Sequence, residues 1–190
     1  MSIQEHRWIL GGGLASGKSV VRRLLSSAGI ATIDADAVGH SVLEPGGGAY
    51  AEVSQRWPEV LDGGRIDRSA LARIVFNDLE ELAALEAMTH PHIFDTIRSR
   101  VEKIRGTVVV EMPIEARGLG SRWRRIVVDS RLETKVERAV ARGMGSDDAR
   151  ARLAAQPDRP EWLAIADLVI PNHGSLSELE ETVTLVVEQL

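Results

Sequence analysis

One segment near the N-terminus combines glycines, a lysine and a serine at a spacing suited to binding a phosphate chain. Residues 12–19 read Gly-Gly-Leu-Ala-Ser-Gly-Lys-Ser and match the pattern G-x-x-x-x-G-K-S/T. Glycines let consecutive backbone N–H groups face a phosphate, and a helix that begins near the lysine adds the positive end of its dipole. We expect Lys18 to reach the β and γ phosphates, and the Ser19 hydroxyl to be a ligand of the Mg²⁺ that bridges them. The segment predicts nucleoside triphosphate binding by Gly13, Leu14, Ala15, Ser16, Gly17, Lys18, Ser19 and Val20.

Two aspartates, Asp34 and Asp36, follow a short apolar run that predicts a strand over residues 30–33. The carboxyl ends of strands are the edge of an open α/β sheet where ligands bind. Phosphoryl transfer to a hydroxyl needs a group that orients the acceptor and takes its proton, and aspartate is the usual choice in kinases. One of the two is therefore the candidate base. The alternative is that an aspartate after a strand caps the next helix.

Glu111 closes another apolar run, residues 107–110, which predicts a buried strand. A carboxylate at that position can hold Mg²⁺ through water. The alternative is a charge at a strand end with no ligand.

The remaining pattern is that of an α/β protein. Residues 8–10, the glycine loop, an apolar helix pattern that ends at Gly29, and residues 30–33 form a β-α-β unit. Further strand signals at 107–110, 126–128 and 168–170 predict a five-stranded parallel sheet with helices on both faces.

Between these strands the sequence predicts helices. Apolar residues recur at helical spacing in a mostly helical insertion over 36–106, most clearly Leu71, Ile74, Val75, Leu79, Leu82, Leu85 and Met88. A charged helical segment, 133–155, is interrupted by Gly143 and Gly145 and followed by Pro157 and Pro160, which indicates a hinge. Residues 176–190 predict a closing amphipathic helix.

Composition narrows the class of protein. The chain has 190 residues, with 23 Lys and Arg against 28 Asp and Glu, and its pI of about 5.6 disfavours nucleic acid as the main partner. It has no cysteine, which excludes disulfides and thiolate metal sites. We expect no secretory signal and no membrane span, and therefore a cytoplasmic protein.

Several short motifs, taken in order, resemble the dephospho-coenzyme A kinase family along nearly the whole chain. They are Gly12 to Ser19, Ile33 to Asp36, Glu44-Pro45-Gly46, Val75-Phe76, Leu85-Glu86, His90-Pro91, Arg142, Arg152 to Gln156, Ala166 to Ile170 and Asn172-His173-Gly174. The resemblance implies an ATP-dependent kinase that phosphorylates the ribose 3′-hydroxyl of dephospho-CoA. Its partners would be ATP with Mg²⁺ and dephospho-CoA, and we expect a monomer or weak oligomer that binds no nucleic acid or membrane.

The resemblance also implies a domain organisation. It is that of a P-loop NTPase fold with a nucleotide-binding core at 1–37, 106–135 and 164–190. The segment 38–105 would be the helical CoA-binding domain, and 136–163 would be the lid.

Residue roles follow from the same resemblance. Asp36 would be the base, and Lys18 and Arg142 would act on the transferring phosphoryl group. Arg142, Arg152 and Asn172 would bind ATP, Asn172 near the adenine, whereas Asp34, Asp36, His90 and Pro113 would bind the acceptor. Two alternatives stay open: Arg142 or Arg152 is a solvated helical charge, since the same segment also holds Arg138 and Arg150, and His90 is a buried polar residue that shapes a helix start.

The sequence departs from the family in two places. Residues 111–118 read Glu-Met-Pro-Ile-Glu-Ala-Arg-Gly, where the family has an acidic residue, any residue, Pro-Leu-Leu, an aromatic residue and Glu. Ala15 replaces a loop glycine, which narrows backbone freedom. Because the first departure lies beside the acceptor site in the family, another P-loop small-molecule or nucleotide kinase stays open as an alternative. A nucleotide-binding homologue without turnover is a second alternative.

Overall fold

A computed structural model describes residues 6–112, 119 and 123–190, and a five-stranded parallel sheet organises them. The strands are β1 (Arg7–Gly11), β2 (Ala31–Asp34), β5 (Val108–Glu111), β6 (Arg124–Asp129) and β7 (Leu168–Pro171). Their order is β2-β5-β1-β6-β7, which places β1 in the centre. The phosphate-binding segment directly follows β1 and therefore lies at the carboxyl end of the central strand.

Apolar, largely β-branched runs form the sheet because both of its faces are buried. Ile9 pairs with Val110 of β5, and Leu10 pairs with Ile126 of β6. Helices α1 (Lys18–Ser27) and α9 (Leu176–Val187) contact each other and bury their apolar residues against the strands. The chain leaves α1 through Gly29, whose φ of +87° is a left-handed conformation that glycine adopts without strain. The prediction that this helix ends at Gly29 is confirmed.

The charged segment before the last strand forms α6 (Leu132–Ala141), α7 (Ser146–Ala154) and α8 (Arg159–Ala164). Gly143, with φ +90°, and Gly145, the cap of α7, separate the first two helices as predicted. A capping box of Asp158 and Glu161 begins α8. This helix contacts β6.

Residues 34–103 form α2 (Ala35–Val42), α3 (Tyr50–Arg56), a 3₁₀ turn (Pro58–Val60), α4 (Arg68–Val75) and α5 (Leu79–Glu102). The insertion is thus mostly helical, as predicted. A small antiparallel hairpin of β3 (Leu61–Asp62) and β4 (Arg65–Ile66) was not predicted. The long apolar series divides into α4 and α5 because the Asp78 carboxylate accepts from the Glu80 amide at 2.8 Å and starts a new helix.

The interpretation of His90 as a buried residue at a helix start is wrong. Pro91 lies in the interior of α5, and His90 is exposed, with its ring edge against Phe94. A proline there removes the hydrogen bond to the carbonyl of Ala87. Ala87 and Pro91 are both exposed, so water can satisfy that carbonyl and the helix continues.

The chain divides into two compact units, Met1–Ile33 with Ile104–Leu190, and Asp34–Lys103. The division into a nucleotide core, a CoA-binding domain and a lid stays a prediction. Among the helices within the described ranges, none is long and apolar enough to cross a membrane.

Candidate phosphate-transfer site

The phosphate-binding segment is a tight loop between β1 and α1, and its glycines are sterically required. Gly12 and Gly17 have φ of +139° and +104°. A Cβ atom on Gly12 would lie 2.8 Å from the Val128 carbonyl oxygen, and one on Gly17 would lie 2.2 Å from Nδ2 of Asn172. The loop therefore packs directly against the ends of β6 and β7, and side chains at these two positions would displace it.

Ala15, the departure from the family glycine, also adopts a left-handed conformation, with φ +55°. Such a conformation costs a non-glycine residue about 1–2 kcal/mol. Its methyl group is buried in a small apolar cluster with Ala139 of α6 and Ala149 of α7. Ala15 therefore has less backbone freedom than glycine, but its methyl group adds packing between the loop and helices α6 and α7.

Lys18 begins α1 and holds its ammonium group over the loop. Its Nζ donates to the carbonyl oxygens of Gly12 at 2.7 Å and Gly13 at 3.1 Å. This places a positive charge at the loop, where a phosphate chain would bring negative charge. The next two predicted residues differ in exposure: the Ser19 side chain is exposed, whereas Val20 packs on the core and its amide bonds to Gly17.

Ser19 and Glu111 meet beside the loop. The Ser19 hydroxyl donates to Oε1 of Glu111 at 2.8 Å, and Arg22 Nε donates to Oε2 at 2.6 Å. A hydroxyl and a carboxylate are the hard oxygen ligands that Mg²⁺ prefers, and such sites leave further positions to phosphates and water. The pair therefore fits Mg²⁺. No cluster of three or more potential metal ligands occurs in the described part of the chain.

A buried polar network fixes the C-terminal half of the loop. Asn172, 5% exposed, donates from Nδ2 to the Ser16 carbonyl at 2.7 Å and accepts from Arg138 at 3.1 Å. Arg138 and the Ser130 hydroxyl also reach the Asn172 backbone oxygen. The Asn172 side chain is therefore hydrogen-bonded to the loop. Its contact with ATP stays a prediction.

A second polar cluster lies at the end of β6. Asp129 is buried and accepts two hydrogen bonds from Arg159 Nε, at 2.9 and 3.1 Å, and one from Nη2 at 2.8 Å, while His173 Nε2 lies 3.3 Å from Oδ2. The hydrogen bonds from Arg159 lower the pKa of Asp129, although burial opposes them. The pair ties the start of α8 to the sheet.

Lys135 and Gln156 approach the first half of the loop. Gln156 Oε1 accepts from the Leu14 amide at 2.8 Å. Lys135 is 9% exposed, and burial lowers its pKa, with Asp129 acting in the opposite direction. Both side chains line a cavity of about 520 Å³ that also includes Gly13.

The two predicted lid arginines lie on exposed helix ends. Arg142 is the C-cap of α6, and Arg152 donates to Asp148 one turn earlier in α7 at 3.0 Å. Arg150, by contrast, lines the cavity with Lys135.

Three of the four predicted acceptor residues, Asp34, Asp36 and His90, are in the unit 34–103. Asp34 caps α2 by accepting from the Ala37 amide at 3.1 Å, so the capping alternative is confirmed for this residue. Asp36 is exposed in the first turn of α2, and His90 is exposed on α5. Pro113 lies outside the described residues.

The sequence interpretation missed the roles of Lys135, Arg138 and Gln156 at the loop. One signal was present: Lys135 and Arg138 of α6 and its C-cap Arg142 recur at positions i, i+3 and i+7, a spacing that places them on one side of the helix. Gln156 gave no comparable signal, because its contact with Leu14 bridges 142 positions.

Comparisons with known proteins find relatives that span nearly the whole chain. The family model described as dephospho-CoA kinase matches residues 8–178. A dephospho-CoA kinase from Thermobifida fusca is 39% identical over 188 residues, which are 95% of this chain and 94% of that protein. A solved structure from Thermus thermophilus has a TM-score of 0.81 at 35% identity and covers 97% of this chain and 98% of that one. The dephospho-CoA kinase from Campylobacter jejuni has a TM-score of 0.71 at 26% identity, with 97% of each chain covered.

Proposed function

Because the chain belongs to the dephospho-CoA kinase family, we propose that it transfers the γ-phosphate of ATP to the ribose 3′-hydroxyl of dephospho-CoA. The products are coenzyme A and ADP. The observation that carries the ATP half of this proposal is the Ser19–Glu111 pair beside the loop that Lys18 contacts, since P-loop enzymes hold a triphosphate with Mg²⁺ by such groups. The acceptor follows from the family.

The loop supplies the donor half of the reaction. Its backbone amides and the N-terminus of α1 bind the phosphates of ATP, and Lys18 exchanges its loop carbonyls for phosphate oxygens. The Lys18 ammonium group then lies beside the β–γ bridging oxygen and the γ-phosphate oxygens, where it stabilises the negative charge that develops on the leaving ADP. Lys18 therefore acts in the transition state as well as in binding.

Ser19 and Glu111 would hold Mg²⁺ in the proposed enzyme. The ion supplies charge neutralisation to the phosphates when bound. Arg22 keeps Glu111 oriented, because it occupies one carboxylate oxygen and leaves the other facing Ser19.

Asp36 is the proposed base for the acceptor. The 3′-hydroxyl oxygen forms a bond to the γ-phosphorus, the bond from that phosphorus to ADP breaks, and the hydroxyl proton passes to the Asp36 carboxylate. Asp34 is less suited to this step, because one of its oxygens caps α2. We propose that Asp34, His90 and Pro113 contribute to acceptor binding, with residues 38–105 as the CoA-binding domain.

The lid is the segment 136–163, and Arg142 and Arg152 are its proposed phosphate ligands. Arginine presents a planar fork of donors to phosphate oxygens. Arg152 would leave Asp148 for the phosphate, an exchange that is inexpensive because exposed ion pairs contribute little. Closure of the lid then excludes water, which would otherwise accept the phosphoryl group.

A cytoplasmic location and a monomeric or weakly associating state complete the proposal. The location follows from the substrates, because ATP and dephospho-CoA are cytoplasmic metabolites. The association state follows from the proposed reaction, because all the residues it uses belong to a single chain. Light scattering at several protein concentrations measures the association directly.

The proposal is tested by ADP release with ATP and Mg²⁺, measured with dephospho-CoA, with other hydroxyl acceptors such as shikimate, gluconate and adenosine, and with none. We expect ADP release only with dephospho-CoA. Asp36→Asn is the catalytic control, and Asp62→Asn, an exposed aspartate of the hairpin, is its matched variant. Turnover that prefers another acceptor would refute the assigned substrate, and tight ATP binding without turnover on any acceptor would indicate a non-catalytic homologue.

A further inference from the structure

Gly13 of the phosphate loop is approached by two lysines. Lys18 Nζ donates to its carbonyl oxygen at 3.1 Å, and a Cβ atom built on Gly13 would lie 3.2 Å from Nζ of Lys135. The chain has only three lysines among its 23 basic residues, and the third, Lys103, is exposed at the end of α5. Two cationic side chains therefore approach the same residue of the loop, and a bound anion there would be attracted to both of them.

The amide next to Gly13 is occupied by a side chain from the lid. Leu14 N–H donates to Gln156 Oε1 at 2.8 Å, and the same oxygen would lie 3.1 Å from a Cβ atom on Gly13. A carboxamide oxygen accepts a hydrogen bond as a phosphate oxygen does, but it carries no full charge. Gln156 therefore occupies a donor that the motif presents to phosphate.

We propose that Lys135 is a further phosphate-contacting residue: an oxygen of the γ-phosphate of ATP replaces Gln156 on the Leu14 amide, and the Lys135 ammonium binds that phosphate. The inference rests on the proposed function, because it extends the same donor site by one cation outside the motif. It makes Lys135 a residue that distinguishes ATP from ADP.

The surroundings of Lys135 support this role. Burial lowers its pKa, so the charged form lacks full compensation in the nucleotide-free protein. Its acidic neighbour Asp129 already accepts hydrogen bonds from Arg159. A bound phosphate would supply the missing negative charge next to the ammonium group.

The cavity gives Gln156 a place to go. The cavity has a volume of about 520 Å³ and is lined by Gly13, Lys135 and Gln156, together with Leu153 and Pro157 from the α7–α8 region. A carboxamide that leaves Leu14 can turn into this space without unfolding a helix, since Gln156 lies between α7 and α8.

The test is calorimetric binding of Mg-ATP and Mg-ADP, without acceptor, to the full chain. Lys135→Met keeps the length of the side chain and removes its charge, and Lys103→Met makes the same change at an exposed site. We expect Lys135→Met to weaken ATP binding by about tenfold to hundredfold, the range for a lost charge-assisted hydrogen bond. ADP binding should change less than about threefold, and Lys103→Met should leave both affinities unchanged. An equal loss for ATP and ADP, or no loss for ATP, overturns the assignment.

Gln156→Ala tests the exchange on the Leu14 amide. Removal of the competing acceptor should tighten ATP binding by about twofold to tenfold, the range for one neutral hydrogen bond. Unchanged or weaker ATP binding overturns the exchange. Thermal unfolding of each nucleotide-free variant checks folding, and Lys135→Gln replaces Lys135→Met if the latter is unfolded. Failure of the wild-type protein to bind ATP would instead refute the proposed function.

Discussion

The hydrogen bonds of Asn172 give the sharpest prediction about the loop. Its side chain is the direct link between the end of β7 and the Ser16 carbonyl, at 2.7 Å, and it also receives a hydrogen bond from Arg138 at 3.1 Å. Asn172→Ala removes both bonds and leaves a buried space against Gly17. We expect the loop to lose its defined conformation as well as stability.

The magnitude follows from the two bonds. A neutral hydrogen bond contributes about 0.5–1.5 kcal/mol and one to a charged group about 1.5–3 kcal/mol. Arg138 recovers part of the loss, because its Nη1 already lies 3.2 Å from the Ser130 hydroxyl and 3.4 Å from the Ser16 carbonyl. We therefore expect a loss of about 2–4 kcal/mol in the free energy of unfolding. For a chain of this size that is a fall in Tm of about 5–15 °C.

The assay combines thermal unfolding by circular dichroism with calorimetric binding of Mg-ATP. Asn77→Ala is the matched control, because Asn77 is exposed and bonds only locally, to the Arg73 carbonyl. It should change the free energy of unfolding by less than about 0.5 kcal/mol and leave ATP binding intact. For Asn172→Ala we expect ATP affinity to fall by at least about tenfold.

One result would refute this reasoning. If Asn172→Ala keeps its Tm within the range of Asn77→Ala and binds ATP as the wild type does, the network does not hold the loop. Lower stability of Asn172→Ala with unchanged ATP affinity would show that Asn172 stabilises the fold but does not shape the loop for ATP binding.

Three further outcomes are expected. Lys18→Ala should abolish turnover and weaken ATP binding, because the phosphates lose their partner ammonium group; wild-type turnover in the ADP-release assay would contradict this. Glu111→Gln should raise the Mg²⁺ concentration needed for half-maximal turnover by about tenfold or more while leaving the fold intact, and a Mg²⁺ titration with an unchanged midpoint would remove Glu111 from the metal site. The Asp129 carboxyl has its pKa lowered from 3.8 by Arg159, so it stabilises the fold above that pH and loses its contribution as the pH falls through the folded-state pKa. Asp129→Asn should therefore be less stable than wild type in urea at pH 7, with a difference that shrinks below about pH 3.8; a pH-independent difference would argue against this linkage.

Much of the fold was predictable because its signals are local. The run Trp8 to Leu10, the glycines of the loop and the apolar pattern after Lys18 each report on neighbours within a few residues, and the structure places them in β1, the loop and α1 as predicted. The hairpin at 61–66 was not predicted because its strands are only two residues long, too short to show an alternation of apolar and polar residues. Pro91 misled the prediction for the opposite reason. A proline is a strong local signal for a helix start, but Pro91 lies on an exposed face of α5, where the helix continues through it.

The site divides in the same way. Lys18 and Ser19 belong to a motif whose spacing alone predicts their positions, and Glu111 ends a strand at the same edge of the sheet. The contacts of Asn172 with Ser16 and of Gln156 with Leu14 cross 156 and 142 positions of the chain. Such contacts depend on how β7 and the α7–α8 region pack against the loop, so no local pattern could have predicted them.

The most direct test of the central claim is the fate of the γ-phosphate. The protein is incubated with Mg²⁺, dephospho-CoA and ATP labelled with ¹⁸O in the γ-phosphate, and the product is analysed by mass spectrometry and by digestion with a 3′-nucleotidase. We predict coenzyme A that carries the label on its ribose 3′-phosphate, with none formed by Asp36→Asn beyond about a hundredth of the wild-type rate. Labelled inorganic phosphate without labelled coenzyme A, or a label elsewhere on the acceptor, would contradict the account.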